Sequence, residues 1–279
     1  MSDGKLKFDE IGYWSEIKLD IIREYATAYS TILTKQTGFS HVYIDGFSGP
    51  GVHVSKATGE FIQGSPLNAL AIQPPFTEHF LIDLDGDKID HLRGRVGDRR
   101  DVHLLQGDCN QELLTTVFPQ VQYEQYRRGL CLLDPYGLHL NWEVIETAGG
   151  MRTLDMFLNF PTHDINRNAL WRDPDGASPE GMERMTKFWG DDSWREIAYQ
   201  PSPQLGLFGE DKEKVENEVV ARAFCDRLRE VAGFKHVHEP MPMRNTRGAV
   251  VYYLMFASQK SVPIKIVNDI FKKYADRTG

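Results

Sequence analysis

The sequence predicts an α/β fold in which a mostly parallel, twisted β-sheet carries helices on both faces. Short apolar runs rich in β-formers recur at Val42–Ile44, His79–Ile82, Val102–Leu105, Leu130–Leu133 and Leu154–Phe160. Stretches with helical spacing or capping chemistry separate them. The first four runs each end at, or within a few residues of, an aspartate: Asp45, Asp83, Asp108 and Asp134. In open sheets of this kind a ligand sits beyond the carboxyl ends of the strands, so the acids mark one edge as functional.

The chain opens with an amphipathic helix over about 13–35, where Ile17, Ile21, Ile22, Tyr25, Tyr29 and Leu33 fall on near-helical spacing. Lys18, Arg23 and Lys35 on this helix could line a substrate groove, but solvated helix charges are the commoner explanation. The first strand then empties into Asp45-Gly46-Phe47-Ser48-Gly49-Pro50-Gly51, whose glycines let the backbone turn sharply and approach a ligand closely. The spacing G-x-x-G-x-G fails the dinucleotide fingerprint, and no Lys-Ser/Thr pair follows to make a phosphate loop. Pro50 stands where a nucleophile elbow needs glycine, so Ser48 is not placed as an esterase nucleophile. An acid followed by such a loop suits a cofactor without phosphates, and S-adenosylmethionine meets that description. An ordinary Gly-Pro turn is the alternative.

Residues 52–63 read as a hairpin or flap, and Gly64-Ser65-Pro66 opens a helix with Ser65 as its cap. Asp83 is placed to accept hydrogen bonds from ribose hydroxyls, and is preferred over Asp85 because it directly follows the apolar run. Asp108 either receives an adenine amino group or caps the following helix. After the fourth strand, Asp134, the carbonyl of Pro135 and the ring of Tyr136 offer two acceptors and a stacking surface for the exocyclic amine of a flipped base. The same residues could make only a turn. Asn159 closes the fifth strand, and Arg167 lies in a rim insertion over about 162–213 that holds one expected helix, Pro179–Trp189, and an expected mobile loop at 201–206. A helix over about 214–231, a strand pair (Val237 and 249–256) joined by a loop with Arg244 and Arg247, and a basic helix over 263–274 complete the chain. Asn159, Arg167, Arg244 and Arg247 are the candidate substrate contacts. His236 and His238 read as surface residues without a third metal ligand, and no metal site is expected.

With 279 residues, 41% of them hydrophobic, the chain can bury a full core, and one domain over 1–279 is expected. A formal charge of -8 argues against non-specific coating of nucleic acid and leaves room for a local basic patch. Cys109, Cys131 and Cys225 are too dispersed for a disulfide framework. The absence of an apolar signal core or membrane-length run points to a cytoplasmic protein with no membrane partner.

Taken in order, the glycine loop, ribose acid, Gly-Asp and Asp-Pro-aromatic resemble the class I S-adenosylmethionine-dependent methyltransferases. More closely, W-S-E-I-K-L (Trp14–Leu19), Y-I-D-G-F-S-G-P-G (Tyr43–Gly51), Gly64-Ser65-Pro66 and L-L-D-P-Y-G (Leu132–Gly137) resemble the three-Cys-motif partner family of bacterial and phage proteins. The resemblance implies a Rossmann-like class I methyltransferase fold with seven strands and an antiparallel C-terminal pair. It also implies a genetic partner resembling a radical-type iron–sulfur protein. By methyltransferase analogy Asp45, Gly46, Phe47, Gly49 and Gly51 would contact the methionine part of S-adenosylmethionine, Asp83 its ribose and Asp108 its adenine, while Asp134, Pro135 and Tyr136 address the acceptor. D-P-Y-G departs from the D-P-P-Y of adenine-amino enzymes towards the D-P-F-G of tRNA dimethylguanosine enzymes, so an adenine or guanine amine in RNA or DNA is implied. The rival expectation is a non-catalytic adaptor that serves the iron–sulfur partner.

Overall fold

The computed structural model describes residues 8–171, 176–201 and 212–275. In chain order the elements are β1 (Glu10–Ile11), α1 (Tyr13–Thr34), β2 (Ser40–Asp45), β3 (Val52–Ser55), β4 (Phe61–Gln63), α2 (Ser65–Leu70), β5 (Glu78–Asp83), α3 (Gly86–Val96), β6 (Val102–Gln106) and α4 (Cys109–Glu112). Short helical turns lead to β7 (Arg127–Leu133), α5 (Trp142–Met151), β8 (Leu154–Phe160), α6 (Thr162–Asn168), α7 (Pro179–Trp189), α8 (Trp194–Ala198), β9 (Tyr199–Pro201) and β10 (Lys212–Lys214). The last elements are α9 (Asn217–Glu230), β11 (His236–Val237), β12 (Met241–Arg244), β13 (Val250–Ser258) and α10 (Ser261–Ala275).

Five strands run parallel in the order β6-β5-β2-β7-β8, and β13 joins β8 antiparallel. Both β11 and β12 pair with β13. Among the described residues the sheet therefore has eight strands where seven are expected, because the outermost lane is split. Pro240 lies in the break between β11 and β12 and offers no N–H to the ladder.

Alternation along β2 explains the layers. Val42 and Ile44 face one side with Phe80, Ile82, Cys131 and Leu133, while Tyr43 faces the other with Leu81, Leu130 and Leu132. All three β2 residues are fully buried, as a central parallel strand must be. The apolar stripe of α1 (Ile17, Ile21, Ile22, Tyr25) covers the Tyr43 side alongside α2 and α10. Helices α5, α7 and α9 cover the other side.

Some elements differ from the sequence reading: Arg244, expected in a loop, ends β12. Gly64, not Ser65, caps α2 and Pro66 is its second residue. The rim insertion holds α6 and α8 besides α7, and Phe188 of α7 stacks on Phe224 of α9 at 5.2 Å, tying the insertion to the main core. Lys214 belongs to β10, so the following helix starts at Asn217. The expected mobile loop at 201–206 lies, from Ser202 onward, outside the described residues. No helix among the described residues is long and apolar enough to cross a membrane.

Candidate functional site

The register brings the four acids to one edge. Asp45 ends β2 opposite Leu81 and Leu132, and Asp83 ends β5 opposite Gln106. Asp134 directly follows β7 and Asp108 lies two residues past β6. Because these four strands are parallel neighbours, every acid falls at the carboxyl end of the sheet.

Each acid is then used differently. Asp45 is fully buried; Oδ1 accepts the Phe47 N–H at 3.2 Å, and the Tyr43 and Ser65 hydroxyls also bond to the carboxylate. Burial pushes its pKa up to about 7, with Asp134 adding to the rise and the hydrogen bonds opposing it. Asp83 ties the glycine loop to β5: Oδ2 accepts the Gly49 N–H and Oδ1 the Asp85 N–H, both at 2.9 Å. Asp108 Oδ1 accepts the N–H groups of Asn110 and Gln111, so the capping role is realised.

Within the loop, Gly49 (φ 61°) and Gly51 (φ 78°) take the left-handed conformation that disfavours a side chain. They serve different ends. A Cβ on Gly51 would lie 2.9 Å from Leu92, whereas a Cβ on Gly49 would meet no heavy atom within 4 Å. Gly49 thus faces open space. Gly46 is a packing position, its notional Cβ 2.8 Å from Cys109 Sγ.

That open space is a cavity of about 450 Å³, within the size range of small-ligand sites. Its walls come from Phe47, Ser48 and Gly49 of the loop, from Asp134, Pro135 and Tyr136, and from Asn159 at the end of β8. Helix α1 and residues Asp9–Ile11 cover it. Ser48 Oγ, His53 Nδ1 and Asn159 Oδ1 are buried without a partner, and all three residues line the cavity. Such atoms are costly to leave unpaired and suit a polar ligand.

Lys18 overturns its expectation as a solvated charge. It is only 6% exposed, and its ammonium pairs with Asp134 Oδ2 and lies 5.2 Å from the centre of the Tyr252 ring. Burial acts to lower its pKa, but Asp134 and Tyr252 outweigh it and the pKa is raised. Asn159 Nδ2 donates to Asp134 Oδ1 at 2.8 Å, so both carboxylate oxygens are held. One signal was available in the sequence: Lys18 sits three, four and seven residues before Ile21, Ile22 and Tyr25, on the apolar stripe itself.

At the mouth the Tyr136 hydroxyl donates to Asp9 Oδ2 at 2.9 Å. Lys88 lies 3.5 Å from Asp9 and 5.0 Å from the centre of the Tyr136 ring. Burial, then Asp9, raises the Tyr136 pKa. Asp9, an interaction partner that the sequence reading missed, reaches the site because β1 pairs with β3 of the flap.

Of the residues expected at the site, Asp45, Gly46, Gly51, Asp83 and Asp108 lie behind the cavity rather than on its lining, and Arg167, Arg244 and Arg247 do not line it either. The turn after β12 leaves the same edge of the sheet, since β13 runs antiparallel to β8, but Arg244 donates back to the Gly248 carbonyl at 2.9 Å and Arg247 is exposed. Arg167 lies in α6, beyond the end of β8. Among the described residues no group of three or more His, Cys, Asp or Glu is arranged to hold a metal ion.

Strand order, the antiparallel last lane and the edge of acids together define a methyltransferase-like α/β fold. No family model matches the chain, and no curated protein matches it. Among solved structures, protein LPL1258 from Legionella pneumophila str. Philadelphia 1 superposes with a TM-score of 0.52 at 14% identity, covering 92% of both chains. An S-adenosylmethionine-dependent methyltransferase from Mesorhizobium loti aligns at a TM-score of 0.39 and 13% identity, over 86% of this chain and 99% of its own.

Proposed function

We propose that the chain transfers a methyl group from S-adenosylmethionine to an exocyclic nitrogen of adenine or guanine in RNA or DNA. The supporting observation is Asp134, bracketed by Lys18 and Asn159 in a cavity where Asn159 Oδ1 has no partner. The residues present fit the cofactor: Gly49 leaves room beside the loop, and Ser48 Oγ is an unused donor there. In this reading Asp45, Gly46, Phe47, Gly49 and Gly51 shape the methionine side, with Asp83 toward the ribose and Asp108 toward the adenine. When bound, the cofactor supplies an electrophilic methyl whose transfer leaves a neutral thioether.

The chain's own residues act on the acceptor. A ring amine is a poor nucleophile because its lone pair is delocalised into the ring. Asp134 and the Pro135 carbonyl accept its two N–H bonds and draw it towards tetrahedral geometry, Lys18 fixes the orientation of Asp134, and the proton the nitrogen loses as the N–CH3 bond forms passes to Asp134. Lys88 lies over the Tyr136 ring, so the opposite face is the one offered to a stacked base. The rest of the catalytic effect is alignment. Arg167, Arg244 and Arg247 would hold the polynucleotide outside the cavity.

Methyl transfer from labelled S-adenosylmethionine to RNA and to DNA, followed by nucleoside mass spectrometry, tests the reading. Methylated adenine or guanine is expected with the native chain, and Asp134→Ala should lower its formation about 100-fold or more. Full incorporation by Asp134→Ala would overturn the assignment.

One observation favours a second reading, an adaptor for a three-Cys-motif iron–sulfur protein: both oxygens of Asp134 are already engaged by protein groups. Calorimetry separates the two, because partner binding without affinity for S-adenosylmethionine would establish the adaptor.

A further inference from the structure

The amino end of the same sheet holds a second cavity, of about 510 Å³, between the end of α1, the starts of β7 and β8 and the start of α10. Six residue steps of β7 separate Arg128 from Asp134, which puts the two cavities about 20 Å apart. We propose that this cavity binds a small organic anion of the nucleoside monophosphate class, a phosphate carried on a flat and largely apolar body.

Its walls are apolar. Ile32 and Leu33 come from α1, Val262 and Ile266 from α10, and Tyr123 from the turn before β7. Ile32, Tyr123 and Val262 are 38%, 49% and 55% exposed, so the rim offers apolar surface to an entering group.

Three cations face this apolar wall: Arg128, Arg152 and Lys260. None of them makes an ion pair among the described residues. That is unusual in a chain of net charge -8, where many arginines are matched to acids. Arg128 is held in place, its guanidinium 4.8 Å from the centre of Phe39 and 4.2 Å from that of Tyr123. Arg152 is presented from the end of α5 at φ 60°, a backbone conformation that favours glycine. Lys260 immediately precedes the 15-residue α10, whose amino end adds positive potential.

An independent observation points to a ligand. Thr153 lines the cavity, is 3% exposed, and its Oγ1 has no hydrogen-bond partner. Asp155 is the acid among the lining residues, but its oxygens accept the hydroxyls of Tyr25 and Ser258 at 2.5 Å each. The cations are therefore left for a ligand's charge, and Thr153 for one of its polar atoms. Two guanidinium groups and an ammonium suit a phosphate, and the apolar wall suits the body that carries it.

Calorimetry on the full chain with GMP, repeated with saturating S-adenosylhomocysteine, tests this independently of any methyl transfer. One saturable site is expected, unaffected by S-adenosylhomocysteine and by Asp134→Asn. Arg152→Ala combined with Lys260→Ala should weaken binding about tenfold or more, and Thr153→Val about threefold. Arg152 and Lys260 are exposed, and thermal melts establish that the variants are folded. Guanosine and inorganic phosphate should each bind about tenfold more weakly than GMP. The proposal is overturned by no saturable binding at millimolar GMP, by unchanged binding in the double variant, by displacement with S-adenosylhomocysteine, or by phosphate binding as tightly as GMP.

Discussion

The two ends of β7 handle charge in opposite ways. At the carboxyl end Asp134 is enclosed, with Lys18 on one oxygen and Asn159 on the other. At the amino end Arg128 lies against the rings of Phe39 and Tyr123, with no acid bonded to it among the described residues, and lines the same cavity as the exposed Arg152 and Lys260. Burial explains the difference. A charge taken out of water must be paired, whereas a half-buried guanidinium can rest on ring faces and keep donors for solvent or ligand. The carboxyl end is therefore organised before any ligand arrives, and the amino end remains open to a partner that brings its own charge.

The contrast breaks if the two ends respond alike to mutation. Asp134→Ala strips Lys18 of its partner while the ammonium stays buried, and should cost about 3 kcal/mol in urea unfolding. Arg128→Ala loses ring stacking and a hydrogen bond to the Arg127 carbonyl, with no charge left buried and unpaired, and should cost about 1 kcal/mol. Equal losses would show that pairing at the carboxyl end does not set its stability. Within the glycine loop, Gly51→Ala combines a left-handed backbone with overlap against Leu92 and should cost about 2–3 kcal/mol. Gly49→Ala meets open space, so its cost should be about 1 kcal/mol, with the larger effect on affinity for S-adenosylmethionine.

The buried acids sharpen the comparison further. Burial pushes Asp45 up to about 7 and Asp155, at the amino end, up to about 6, both above the ordinary carboxylate range. The native state thus binds protons that the unfolded chain releases. Their contribution is full below about pH 4 and is lost as pH rises, through about 6 for Asp155 and about 7 for Asp45. Denaturant midpoints taken from pH 4 to 8 should show Asp155→Asn removing part of the decline between about pH 4 and 6, and Asp45→Asn removing part of it from about pH 4 to 7, including all of its share above 6. A decline unchanged by either substitution would remove these acids as its source. The smallest effect belongs to the mouth: Tyr136→Phe deletes the bond to Asp9, should cost less than about 1 kcal/mol, and should speed amide exchange at Asp9–Ile11.

Much of the carboxyl edge was legible in the sequence because its signals are local. A buried parallel strand is a short apolar run, and an acid at its end follows within a residue or two, so Asp45, Asp83 and Asp134 could be placed from adjacent letters alone. Asp108 was legible only as a choice between two roles, since capping and ligand binding need the same side chain at the same place.

What the sequence by itself determined, then, was the series of strands and helices and the edge at which the acids gather, because hydrophobic period and turn chemistry act over a few residues. Tertiary structure decided which charges are enclosed. Lys18 meets Asp134 across 116 positions, Asp9 meets Tyr136 across 127, and the second cavity exists only where α1, α10 and the start of β7 converge. A side chain's solvent, unlike its helical phase, is set by whatever distant segments fold over it.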